Sequence, residues 1–201
     1  MITIFAQILE VKTVLDDPQN SGVTPALQSN PQALTKLLLN NGSLNVAVKA
    51  QLKDVFDTYQ GLIDLCSREP ANKGSPKIVR NSAFDPSPQF LEGKKVNHVK
   101  TFSPLELLAT AILILCHMGS RKQQMLLDDI KNMRYYLREK HQDLRVNNQC
   151  WTTAWKFIYQ ELAAYRIERA IEDAADVIEV SDPECFWTSN GTPASRKRSR
   201  R

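Results

Sequence analysis

The stretch FSPLELLATAILILCHMG, residues 102–119, constrains the fold more than any other part of the sequence. Its uninterrupted apolar run covers residues 107–116, and Glu106 and His117 lie at the two ends of that run. A membrane-spanning helix needs about 20 mostly apolar residues, roughly twice this length. We therefore predict a helix that is buried on nearly every side by other helices, and we expect no membrane association.

Both ends of this segment carry the signals of a helix in a globular domain. Ser103, Pro104 and Glu106 form the pattern S-P-x-E, in which the serine caps free backbone N–H groups and the glutamate closes a capping box. Gly119 is a typical residue at the C-terminal end of a helix. The predicted helix therefore runs from about residue 104 to residue 118.

The rest of the chain also follows helical spacing, which predicts an all-α, irregular multi-helix domain. We expect helices over residues 4–15, 31–39, 43–66 and 121–145, the last opened by a capping box of Ser120 and Gln123. Another helix should begin at Asn147 or Asn148 and run through about residue 165, with an extension to about residue 178. No capping residue precedes the first helix, so we expect a chain that begins inside a larger domain.

Two stretches break the helical pattern. Residues 67–101 contain four prolines and two glycines, which predicts a long disordered linker. Residues 181–201 are predicted to be a disordered basic tail. The expected organisation is therefore a helical segment 1–66, the linker 67–101, a helical segment 102–180 that packs against the first, and the tail 181–201.

The net charge of +4 is concentrated at one end of the chain. The last six residues, RKRSRR, contain five of the 26 basic residues, so the remainder has 21 basic residues against 22 acidic ones. A body that is close to neutral has no overall electrostatic footprint for nucleic acid. The basic cluster of Arg196, Lys197, Arg198, Arg200 and Arg201 instead predicts a nuclear-localisation signal, with a nuclear import receptor as partner.

The helix predicted at 121–145 carries the most ordered charge pattern. Its basic residues Lys131, Arg134, Arg138 and Arg145 form a stripe beside an apolar face. We expect this stripe to be exposed to solvent. It could contact phosphates or an acidic partner, or it could be an ordinary solvated face with local ion pairs.

No catalytic, metal or cofactor site is predicted. The cysteines and histidines, among them Cys116, His117, His141 and Cys150, lack zinc-ligand spacing and any signature of nucleophilic catalysis. Four scattered cysteines favour reduced thiols in an intracellular protein. Trp151 and Trp155 lie one turn apart and are expected to be core anchors rather than a platform for base stacking.

The segment from residue 102 to about residue 162 resembles the C-terminal helical region of an uncharacterised family of fungal proteins. That family is related to the GmrSD-type, ParB/sulfiredoxin-like nuclease domains. The shared motifs are S-P-x-E-[LF], D-x-I-x-x-M-R-x-x-[LV]-R and H-x-D-[LI]-R-x-N. They are present here at Ser103, Pro104, Glu106 and Leu107, at Asp128, Ile130, Met133, Arg134, Leu137 and Arg138, and at His141, Asp143, Leu144, Arg145 and Asn147.

The resemblance implies a helical region without its catalytic half, because the D-G-x-Q-R-like motif of that family is absent from this sequence. We therefore expect a non-catalytic scaffold or partner-binding module in the nucleus, with a protein partner or a missing N-terminal domain. Two alternatives stay open. The chain could be a nucleic-acid-binding module, or it could be the remnant of a nuclease-like enzyme that needs a separate catalytic chain.

Overall fold

The computed structural model describes residues 2–20, 22–29, 45–68, 82–92 and 100–168, together with positions 32, 35 and 39. The regular structure in these ranges is helical and includes no strand, which confirms the predicted all-α class. The helices are α1 (Ile2–Asp16), α2 (Val46–Arg68), α3 (Pro104–His117), α4 (Gln123–Lys140) and α5 (Asn148–Lys156), and a π-helical segment (Phe157–Glu161) follows α5 directly.

Helix α3 is the centre of the bundle. It contacts α1, α2, α4 and α5, and its residues from Leu108 to Ile114 are all buried. The predicted capping box is present, since the Ser103 hydroxyl accepts from the Glu106 N–H at 3.1 Å and Glu106 Oε2 accepts from the Ser103 N–H at 2.6 Å. The predicted buried helix is confirmed. Among the described residues, no helix combines the length and the apolar character needed to cross a membrane.

Two of the other predicted helix starts have different outcomes. Asn147 caps α5, as predicted, because its side-chain oxygen accepts from the Cys150 N–H at 2.8 Å. The predicted capping box at Ser120 is wrong. Lys122 occupies the N-cap of α4 without a side-chain hydrogen bond, and the Ser120 hydroxyl donates to the carbonyl of His117 at 3.2 Å. Serine hydroxyls readily form such local bonds to the preceding turn.

Residues 82–92 lie within the predicted disordered linker, yet they form a packed segment against α4. The short 3-10 helix Gln89–Leu91 places Leu91 in a small apolar cluster with Phe90 and Tyr135, and Ala83 is also buried. Ala83 lies before Pro86, and Phe90 and Leu91 follow Pro88, so apolar side chains on both sides of these prolines supply the packing. The rest of the linker, most of the helix predicted at 31–39 and the tail 181–201 fall outside the described residues.

The chain divides into two compact units, residues 1–163 and 164–201. The first unit contains α1 to α5 and the π-helical segment. In the second unit the structure describes residues 164–168, which are helical. The extension predicted from residue 169 to about 178 falls outside the described residues.

Candidate functional site

The basic stripe predicted on α4 is the centre of a buried ion cluster. Arg134 and Glu106 are both fully buried, and the side chain of Arg138 is 11% exposed. Glu106 Oε1 accepts from Arg134 Nε at 3.1 Å and from Arg138 Nε at 3.2 Å, while its Oε2 accepts from Arg138 Nη2 at 2.7 Å. One carboxylate on α3 therefore holds two arginines that lie one turn apart on α4.

The packed segment 82–92 completes the surroundings of Arg134. Arg134 Nη1 donates to the carbonyl oxygens of Ala83 at 2.7 Å and Asp85 at 2.8 Å. Its guanidinium carbon lies 4.3 Å from the ring centre of Phe102 and 5.6 Å from that of Phe90. The guanidinium thus combines an ion pair, two backbone acceptors and two aromatic faces, which fastens residues 82–92 to the bundle.

The electrostatics of this cluster indicate a structural role. Burial raises the pKa of Glu106, but hydrogen bonds and charge from Arg138 and Arg134 outweigh that effect, and the net shift is downward. Burial lowers the pKa of Arg134, and Glu106 opposes that shift. Both Glu106 oxygens accept hydrogen bonds from the surrounding fold. The carboxylate is therefore held ionised by its partners.

The predicted exposure of Arg134 and Arg138 is wrong. A fully buried Arg134 cannot reach a phosphate in solution, and Arg138 directs its guanidinium at Glu106 and at the carbonyl of Thr101. Lys131 is half-buried, and Arg145 is exposed and paired with Asp143. Helical spacing placed Arg134 and Arg138 on one face correctly, but the covering of that face by α3 and residues 82–92 depends on contacts distant in sequence. The predicted helix 121–145 was too long, because α4 ends at Lys140 and Arg145 does not lie on that face.

Two further sets of residues came from the sequence, the basic cluster at the C-terminus and the histidines and cysteines. Arg196, Lys197, Arg198, Arg200 and Arg201 lie outside the described residues. His117 Nε2 is 3.2 Å from the carbonyl oxygen of Ile158, and His141 Nε2 is 2.9 Å from the hydroxyl of Thr153. Within the described part of the chain, no three metal-ligating side chains are placed to share an ion. Burial raises the pKa of the Cys116 thiol to about 12, which disfavours a reactive thiolate.

A groove that the sequence did not predict lies between the end of α1 and the π-helical segment. Its volume is about 290 Å³. We call it the aromatic groove. Its lining includes Leu15, Asp17, Asn20, Val23, Trp155 and Tyr159. Leu15, Val23 and Tyr159 are 40%, 48% and 44% exposed, which is unusual for large apolar side chains that share one concave surface.

The stretch 22–29, of which Gly22 and Val23 line the groove, is fixed to the bundle. The buried Gln7 side chain donates to the carbonyl of Ala26 at 3.0 Å and accepts from the Gln28 N–H at 2.7 Å. The indole N–H of Trp151 donates to the carbonyl of Pro25 at 2.7 Å. Gly22, at the start of this stretch, has a φ of 87°, a conformation that favours glycine. These contacts preform the groove.

The opposite wall is an aromatic ladder. Trp151, Trp155 and Tyr159 follow one another at four-residue spacing, with ring centres 6.3 Å and 5.1 Å apart, and the Trp155 and Tyr159 rings are stacked at 10°. The two tryptophans are buried, which confirms their prediction as core anchors. The indole N–H of Trp155, unlike that of Trp151, has no hydrogen-bond partner in the described part of the chain.

The local backbone is also irregular at this wall. Tyr159 lies in the π-helical segment, where the Leu162 N–H donates to the carbonyl of Phe157. Single π-helical turns inside α-helices occur frequently at functional sites. The W-x-x-x-W-x-x-x-Y pattern was the available sequence signal for the ladder, but nothing local indicated that Tyr159 would lie at the same groove as Leu15 and Val23.

Neither the scan of family models nor the searches of curated proteins and solved structures found a match to this chain.

Proposed function

We propose that this chain is a non-catalytic helical module of a nuclear protein, and that it binds a partner protein through the aromatic groove. The observation that carries this proposal is the exposure of Leu15, Val23 and Tyr159 on one preformed concave surface. Single exposed apolar residues are normal on protein surfaces, whereas apolar residues grouped at a groove are typical of binding sites.

The size of the groove favours a side-chain anchor from another protein. Its volume of about 290 Å³ lies at the lower limit of ligand pockets, which span about 300–1,000 Å³. That space suits one or two side chains of a bound segment. Aromatic side chains such as Tyr159 are also enriched in protein interfaces.

Nucleic-acid binding is less well supported than protein binding. The predicted phosphate contacts relied on Arg134 and Arg138, and both of these side chains donate hydrogen bonds to Glu106. Of the other two predicted contacts, Lys131 is half-buried, and Arg145 lies beyond the end of α4 and pairs with Asp143. The nuclear assignment is supported by the five basic residues at the C-terminus.

The proposal is tested by selecting peptides against the full chain. A phage library of random 12-residue peptides is panned on the protein, and every recovered clone is then assayed for binding to the triple variant Leu15→Ser, Val23→Ser and Tyr159→Ser. A matched control carries Leu107→Ser and Met125→Ser, two comparably exposed apolar residues outside the groove lining. We expect clones that bind the protein and the control but not the triple variant. Clones that bind the protein, the control and the triple variant equally would show that the groove is not the binding site.

A further inference from the structure

The charges at the aromatic groove distinguish it from a purely apolar docking site. Among the described residues that line the groove, Asp17 is the only charged one, and its neighbour Asp16 is also exposed. Asp16 is the last residue of α1 and Asp17 follows it directly, and the last turn of this helix contains no basic residue. The C-terminal end of a helix carries a partial negative charge. The groove therefore has one carboxylate in its lining, and a second carboxylate and a helix dipole of the same sign lie at the adjacent end of α1.

Asp17 is held in place by its own turn and remains exposed. Its Oδ1 accepts from the Gln19 N–H at 2.9 Å, and its Oδ2 accepts from the Asn20 side-chain amide at 2.9 Å. A carboxylate has about four lone-pair positions, so two bonds leave it able to accept more. Asp16 is 3.4 Å from Lys12 Nζ. Asp17 is therefore the carboxylate best placed to pair with a ligand.

Tyr159 supplies a flat aromatic surface on the same groove. It is 44% exposed and stacks on Trp155 with ring centres 5.1 Å apart. The basic residue nearest in sequence, Lys156, pairs with Glu161 at 3.0 Å. A cation that entered the groove could thus lie near both an aromatic ring and a carboxylate. The planar guanidinium of arginine suits the Tyr159 ring and the Asp17 carboxylate better than an ammonium group does. It can stack on the ring and form two parallel hydrogen bonds to the carboxylate.

From this arrangement we infer that the aromatic groove binds a partner segment through an arginine, with the guanidinium stacked on Tyr159 and paired with Asp17. Apolar neighbours of the arginine contact Leu15 and Val23. The occupant is a basic peptide segment of another protein. This inference rests on the proposed function and adds the chemistry of the partner.

The test uses four synthetic peptides on the full chain. They are acetyl-GALRALG-amide and its versions with lysine, citrulline or glutamate in place of arginine. Citrulline keeps the shape of arginine and removes its charge. Binding is measured by two-dimensional NMR titration, and the Trp155 indole resonance is assigned from its loss in the Trp155→Phe variant. We expect the arginine peptide to shift the Trp155 and Val23 resonances, and to bind about 5- to 30-fold more tightly than the citrulline peptide.

Matched variants test whether Asp17 is the carboxylate that pairs with the arginine of the peptide. Asp17→Asn keeps an acceptor for the turn, and it should remove most of the preference for arginine over citrulline. Asp143→Asn, an exposed carboxylate outside the groove lining, should leave that preference unchanged. Equal affinity for arginine and citrulline, or an unchanged preference in Asp17→Asn, would overturn the inference. If peptides selected on phage depend on the groove but carry no basic residue, the partner chemistry is wrong while the proposed function stands.

Discussion

The substitution Arg134→Met tests whether the buried ion cluster supports the fold. Methionine retains much of the arginine's length but removes the charge and the donors. Glu106 would lose one of its two cations, and the carbonyls of Ala83 and Asp85 would lose the Nη1 donor that now lies 2.7 and 2.8 Å away. Removing one partner from a buried ion pair costs about 3–5 kcal/mol, because the other charge stays buried with less compensation.

This loss is large relative to the stability of an ordinary domain, which is about 5–15 kcal/mol. With a urea m-value of about 2 kcal/mol per M, the unfolding midpoint should fall by about 1.5–2.5 M. The measurement is urea unfolding followed by circular dichroism at 222 nm. The matched control is Arg145→Met, because Arg145 forms an exposed pair with Asp143 and such pairs contribute only about 0–1 kcal/mol.

A second measurement follows the packed segment itself. Loss of the Arg134 donors should release residues 82–92, so chymotrypsin should cleave after Phe84 or Phe90 faster in Arg134→Met than in the parent protein. Arg145→Met should leave that cleavage rate unchanged. If Arg134→Met shifts the urea midpoint no more than Arg145→Met does, the reasoning about the cluster is refuted.

Three further predictions concern the packing of the core, the loss of stability at low pH and the basic C-terminal tail. Leu113→Ala, at a fully buried position of α3, should cost about 2–5 kcal/mol of unfolding free energy in the same urea assay. The lowered pKa of Glu106 contributes stability that is present above its unfolded-state value of about 4.3 and is lost as pH falls through the folded-state value. Glu106→Gln should therefore flatten the decline of the urea midpoint between pH 5 and pH 2.5, and an unchanged slope would contradict that assignment. Residues 188–201 fused to a cytosolic reporter should carry it into the nucleus, whereas Lys197→Ala with Arg198→Ala should reduce nuclear fluorescence.

Local chemistry explains which parts of the fold were predictable. The S-P-x-E pattern fixed the start of α3 because the Ser103 and Glu106 contacts span only three residues. Asn147 capped α5 for the same reason. The apolar run of α3 could only be buried in a domain of this size. These features depend on neighbouring residues, so the sequence contains nearly all the information needed to infer them.

The ion cluster and the aromatic groove depend on contacts between residues that are distant in the sequence, and no local pattern indicates such contacts. Glu106 was identified as a capping residue, but its pairing with Arg134 and Arg138 spans 28 and 32 positions. The two arginines appeared on a polar stripe because helical spacing shows which residues share a face and not what covers that face. The aromatic groove joins Asp17 and Tyr159, which are far apart in the sequence, so its shape emerges only from tertiary packing.

The central position of α3 has a consequence for hydrogen exchange. The amides of residues 108–114 lie in a helix that α1, α2, α4 and α5 all contact, so water cannot reach them through the opening of any single neighbour. Their exchange with deuterium should require the cooperative unfolding of the whole first unit, and their protection factors should report its global free energy of unfolding. Amides near the end of α1 and in residues 22–29 border the exposed groove, and they should exchange through smaller fluctuations that leave α3 intact.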